Sequence, residues 1–166
     1  CGVVNDVTEL MSLKKKFESL TFYDNLTGLY NRNYFLKFDF NKSVCLPCTY
    51  MMCDCNDLKG VNDHLGHNTG DLYIRETANI LKEVLPKDGI CIRWGGDEFL
   101  LILPGCGEEK CREIMAEINE KQSIKQRKMP YMEIAIGAHV RTELQQTETE
   151  AIQLADQEMY ADKKKR

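Results

Sequence analysis

A chain of 166 residues, 43% hydrophobic, has the length of one domain and enough apolar side chains for a real core. Its net charge of −4 excludes a general attraction to nucleic acid or an anionic membrane, so a polyphosphate ligand would have to be held by local groups or by metal. No apolar run approaches the roughly 20 residues of a membrane span, and no secretory leader is visible, so the expected location is the cytoplasm, either free or as the cytoplasmic part of a membrane-anchored sensor protein, with no membrane contact within this fragment.

The chain opens on Cys1 rather than Met and closes on Lys163–Arg166, which reads as a piece of a longer one. Residues 6–22 carry Leu10, Leu13, Phe17 and Leu20 at helical spacing. This stripe suits either the end of a coiled-coil linker from an N-terminal sensor domain or a helix packed on its own domain. The expected domain limits are therefore 1–22 for a linker helix and 23–166 for the folded unit. "DNLTGLYNRNYF" follows as a turn around Asn25 and Gly28 leading into a helix over 31–40. Residues 49–55, "TYMMCDC", read as a buried strand, and "NDLKGVNDHLGHNTGD" as a turn-rich stretch with three glycines. A helix is predicted over 72–85, two strands around Gly95-Gly96, an amphipathic helix through "EEKCREIMAEINEKQSIK", a strand over 131–140 and a last helix with a basic end. The order helix, strand, helix, strand, strand, helix, strand, helix implies an α/β fold. Its central sheet would be antiparallel or mixed, flanked by helices, with a split βαβ unit.

Eight cysteines raise the question of zinc or disulfides. Cys53 and Cys55 share one face of the predicted strand, a poor geometry for chelation with Cys45 and Cys48, so reduced thiols are expected.

The acids carry more chemistry. Asp54 closes a buried strand, and Asp97 and Glu98 follow the Gly95-Gly96 turn. If that hairpin lies beside the strand, Asp54 and Asp97 face one another. Carboxylates near one point repel unless a cation lies between them. All-oxygen ligands favour Mg²⁺ or Mn²⁺, which in turn suits phosphoryl transfer. Glycines at 95 and 96 would let a ligand approach the backbone closely.

Four stretches together resemble a known family. Gly95-Gly96-Asp97-Glu98-Phe99 matches the motif that names the GGDEF domains of diguanylate cyclases. Asp24–Phe35 is similar to the family's D-x-L-T-G-L-x-N-R-x-x-F entry. Asp54–Asp71 is similar to its D-x-D/N-x-F/L-K-x-x-N-D-x-x-G-H-x-x-G-D stretch, and Ala155–Lys164 to its closing helix. The resemblance implies the ferredoxin-like palm fold of nucleotide cyclases and polymerases. It also implies condensation of two GTP into cyclic di-GMP with release of pyrophosphate. It assigns metal binding to Asp54, the carbonyl of Cys55, Asp97 and Glu98, with Asp54, Asp97 and Glu98 as the catalytic set. Asn62 and Asp71 would read guanine, Leu58 and Lys59 would cradle phosphates, Lys163 would meet the triphosphate, and His67 would brace the loop. Because one domain holds one GTP, a homodimer is implied.

The match departs in places. Asn56 stands where a second acid is common, Leu58 for a phenylalanine, Trp94 for a tyrosine and Ala135 for a serine. Where many members carry an arginine and an acid that bind the product, this chain has Pro86 and Gly89, so product inhibition through those positions is not expected.

Overall fold

The computed structural model describes residues 2–37 and 45–165. Eight residues of one strand, β2 (Cys48–Cys55), are buried without exception, and the rest of the fold is arranged around them. A strand this apolar cannot face water on either side, so it needs neighbours along both edges and helices over both faces. It obtains them in a five-stranded sheet of order β1-β3-β4-β2-β5, with β1 Tyr30–Asn31, β3 Ile90–Arg93, β4 Glu98–Pro104 and β5 Ile134–Arg141. Among the described strands only β1 and β3 pair in parallel; β3 with β4, β4 with β2, and β2 with β5 run antiparallel.

The helices are α1 Gly2–Phe22, α2 Arg32–Lys37, α3 Leu58–Leu65, α4 His67–Val84, α5 Glu108–Gln126 and α6 Glu148–Lys163. Alternation along β2 divides the core. Met51, Cys53 and Cys55 point to a layer with Tyr73, Ile80 and Leu81 of α4 and Ile114 and Ile118 of α5. Cys48, Tyr50 and Met52 point to the other layer, with Ala151, Ile152, Ala155 and Met159 of α6. The expected α/β sheet flanked by helices and its split βαβ unit are present: β2 reaches β3 through α3 and α4, and β4 lies between them.

Several boundaries differ from expectation. The stretch 56–71 is not turn but two helices broken at Gly66, whose φ of 86° only glycine adopts freely. Asp57 begins α3 in the left-handed region, φ 51°, and its carboxylate accepts from the Gly60 amide at 3.2 Å. The glycines read as turn formers therefore delimit helices. β1, two residues long, had no periodicity to betray it. The predicted helix over 31–40 is observed as α2; 38–40 lie outside the described residues.

α6 lies unusually close to β5. A Cβ at Gly137 would collide with the Met159 amide nitrogen and the Ala155 carbonyl oxygen, so glycine is what lets helix and strand touch. The helix starts with a capping box, Thr147 and Glu150 each bonding the other's backbone. α1 presents Leu10, Met11, Leu13 and Phe17 to solvent, Leu10 and Phe17 being 69% and 68% exposed. Its stripe is not packed on its own domain over these residues; the Leu20 side chain lies outside those described.

Candidate active site

The site forms where β2 ends and β4 begins. Asp54 pairs directly with Glu98 across the antiparallel ladder, which puts both side chains on one face of the sheet. Asp97 precedes Glu98 in the turn, and its carbonyl accepts from the Cys55 amide at 2.9 Å. The turn is closed by the Trp94 and Gly95 amides, both donating to Glu98 O at 2.8 and 3.2 Å. Neither Gly95 nor Gly96 has a positive φ, so the backbone does not demand glycine there. A Cβ on Gly95 would instead meet the Glu98 carboxylate at 2.8 Å, while one on Gly96 would meet nothing. Glycine at 95 makes room for the Glu98 side chain; at 96 it leaves the tip bare.

Asp54 is 4% exposed. Its Oδ1 accepts from Lys163 Nζ, on the last turn of α6, at 2.7 Å. Burial raises the pKa of Asp54; the Lys163 bond opposes this, the charge of Asp97 adds to it, and the net shift is upward. Glu98 is also shifted up, first by burial and then by the charges of Asp97 and Asp54. Burial works against the charge on Lys163, but its bond to Asp54 and the charges of Asp54, Asp97 and Glu98 prevail and raise its pKa. The site is thus a partly desolvated group of acids with one ammonium seated in it.

Among the described residues no three side chains form a ready-made metal cluster. The donors nevertheless suit a hard divalent cation: oxygens only, from adjacent strands, each raising the proton affinity of the next, with Lys163 already serving Asp54 as a positive partner.

Beside this point, α3 and α4 make a helical hairpin. Leu58 and Lys59 occupy the first turn of α3, Leu58 half-buried and Lys59 exposed. Asn62 lies half-buried on α3, and its side-chain Oδ1 fills the place a Cβ on Gly70 would take. Asn62 and exposed Asp71 are thereby brought to adjoining turns of two helices. Asp71 is the fifth residue of α4, not a cap at its start, which removes capping as the reason for an acid there. His67 begins α4 and is exposed.

One arrangement was not anticipated. Arg93 Nη1 donates to both oxygens of Asp24, at 3.1 and 3.0 Å, and Nη2 donates to Gly96 O at 2.7 Å. Asp24 Oδ1 also accepts from the amide and hydroxyl of Thr27. Burial works to raise the Asp24 pKa, but the Thr27 bonds and Arg93 lower it. The loop after α1 therefore holds the tip of the hairpin. The signal was in the sequence, an arginine two residues before the glycine pair and an acid opening the entry motif, but nothing local joins positions 24 and 93.

The comparisons with known proteins identify the family. The family model for "Diguanylate cyclase, GGDEF domain" matches residues 21–166. "Probable diguanylate cyclase DgcE" of Escherichia coli is 34% identical over 121 residues, 70% of this chain and 11% of that protein. "Signaling protein YkoW" of Bacillus subtilis is 28% identical across 98% of this chain and 22% of its own length. The chain thus spans a quarter or less of these two relatives. Among solved structures, the coiled coil and GGDEF domain of DgcB from Caulobacter crescentus, a complex with c-di-GMP, superposes with a TM-score of 0.84 at 23% identity, over 98% of this chain and 91% of that one. A microbial GGDEF domain described with cyclic di-GMP superposes with a TM-score of 0.73 at 27% identity, over 87% and 94%. With a family match over residues 21–166, most of its length, and the fold of solved GGDEF domains, this chain belongs to the GGDEF domain family of diguanylate cyclases.

Proposed function

We propose that the domain condenses two molecules of GTP into cyclic di-GMP with release of two pyrophosphates, working as a homodimer. The observation that carries this reading is the placement of Asp54 and Glu98 on one face, beside Asp97, at the end of the sheet. In each half-reaction a ribose 3′-oxygen bonds to the α-phosphorus of the other GTP. The α-phosphorus–oxygen bond to pyrophosphate breaks, and the hydroxyl proton passes to a base. Asp97 is the group we assign as that base. Asp54, Asp97, Glu98 and the Cys55 carbonyl would hold Mg²⁺ or Mn²⁺, which when bound supplies charge neutralisation at the phosphates and a more acidic hydroxyl.

Recognition falls to the helical hairpin. Asp71 can accept two N–H donors from a guanine edge and Asn62 can supply the complementary contact, a pair that adenine cannot satisfy. Amides at the start of α3, at Leu58 and Lys59, suit phosphate oxygens. Lys163 can move from Asp54 to the triphosphate. His67 braces the turn between the two helices. Gly89 donates to Pro86 O at 2.9 Å in a tight turn in which positions 86 and 89 have no side chain that could hold a guanine or a phosphate, while Lys87 and Asp88 between them are exposed.

The exposed stripe of α1 supports its role as the end of a dimerising stalk below a sensor domain. A chain held as a dimer, incubated with GTP and Mg²⁺, should release pyrophosphate and yield a product of the mass of cyclic di-GMP. Tight GTP binding without turnover would instead make this a nucleotide-responsive module that regulates an attached domain. The Lys163–Asp54 pair favours considering that second reading, because it occupies an oxygen the reaction needs.

A further inference from the structure

The far end of the sheet carries a second surface that the proposed chemistry does not use. β5 is the outermost described strand on its side, with β2 on its inner edge only. Register fixes which of its backbone groups look outward. The Ile136 amide leaves the ladder to bond Asp162 Oδ2 at 3.0 Å, so residues of the same parity, 134, 138 and 140, also present N–H and C=O to the free edge. Two of these amides are covered by side chains: Ile134 bonds Gln122 Oε1 at 2.8 Å, and Ile136 bonds Asp162. Ala138 and Val140 have no such cover among the described residues. The edge is blunted over its first half, beside the acids of the active site, and open over its second.

The open half lies in a trough. On one side a cleft of about 650 Å³ is lined by His139, Val140, Glu143, Glu150, Gln153 and other residues of the 139–157 segment. On the other, a cleft of about 320 Å³ runs between α5 and α6 and shares His139 and Val140 with the first. The rims carry the carboxylates of Glu143 and Glu150 at one end and of Glu108, Glu158 and Asp162 at the other; Arg112 and Lys165 are the cations that oppose them. A second copy of this edge would bring these acids against their own kind, which argues against pairing between copies.

We propose that the open half of β5 docks an extended, basic segment of a partner protein, which adds a strand at Ala138–Val140 and sets its lysines or arginines against the acidic rims. Main-chain pairing supplies the affinity and the rim charges supply the choice of partner.

The test uses the 166-residue chain, labelled with ¹⁵N, and a capped nonapeptide of alternating lysine and valine. Two control peptides accompany it, one N-methylated at alternate amides with the same charge, and one with glutamate for lysine. The proposal requires saturable binding with exchange of the Ala138 and Val140 amides slowed about tenfold or more. It also requires at least about tenfold weaker binding of the N-methylated peptide and of the glutamate peptide. The exposed pair Glu143→Lys and Glu158→Lys should weaken binding by a similar factor with an unchanged Tm. If that variant does not fold, Glu143→Gln carries the same expectation. Equal binding of the N-methylated peptide would overturn strand addition. Equal binding of the glutamate peptide would overturn the charge argument. Protection of Ala138 and Val140 that grows with protein concentration alone would assign the edge to a second copy and overturn the proposal.

Discussion

Asp54 shows what the site costs the protein. Its pKa and that of Glu98 lie above their unfolded values, so their contribution to stability is in place below about pH 4, the ordinary carboxylate range, and is lost as pH rises through the raised folded values. Lys163, also raised, keeps its contribution throughout that range. Metal-free protein should therefore lose Tm between mildly acidic and neutral pH, and millimolar Mg²⁺ should restore it at pH 7.5 more than at pH 5; scanning calorimetry with and without chelator decides. Asp54→Asn should flatten that metal-free pH profile while lowering turnover by at least about a hundredfold, the loss expected when a metal-holding carboxylate goes. Asp71→Ala should leave folding intact, since it caps no helix, and narrow the ratio of kcat/KM for GTP over ATP. These acids could be read from the sequence because their types and spacing are themselves the chemistry. Arg93 could not, because its role depends on a carboxylate 69 positions away, joined to it only by the fold.

At the level of elements, two contacts hold the acids in place. Replacing Gly137 by alanine puts a methyl group into the backbone of α6, not into a flexible side chain, so the helix must move away from β5. We expect a loss of about 1–3 kcal/mol in urea unfolding and a larger fall in activity than in stability, because Lys163 rides on the displaced helix. Arg93→Met frees the hairpin tip and leaves Asp24 without its cation; about 1.5–3 kcal/mol is the scale of a charged hydrogen bond partly shielded from water. The elements with strong periodicity were legible in the sequence: the buried run of β2, the long helices, the hairpin of β3 and β4. The stretch 56–71 was not. Its glycines and asparagines have turn propensity, yet Asp57 and Gly66 spend that propensity at helix ends and leave Leu58–Leu65 helical. Local composition could not say on which side of each glycine the turn would fall.

For the whole molecule, the unpaired face of α1 sets the expectation. Leu10, Leu13 and Phe17 in water favour association, and a ring made from two GTP needs two such domains facing one another. Sedimentation should show self-association that Leu10→Lys with Phe17→Lys abolishes, and fusing a parallel leucine zipper ahead of Gly2 should raise turnover per chain. If dimers form and no cyclic product appears, the module reading prevails.

The two jaws of the site are mounted differently. One is Asp54, set into the strand buried on both faces, where little can shift without unfolding the centre of the sheet. The other is the bare-tipped bend bearing Asp97, moored by Arg93 to the loop that leaves α1. The bend is nonetheless tied to the buried strand through the Cys55 amide on Asp97 O, so a pull from the loop that leaves α1 would be felt at the tip of the bend first and would reach Asp54 only through that one backbone bond.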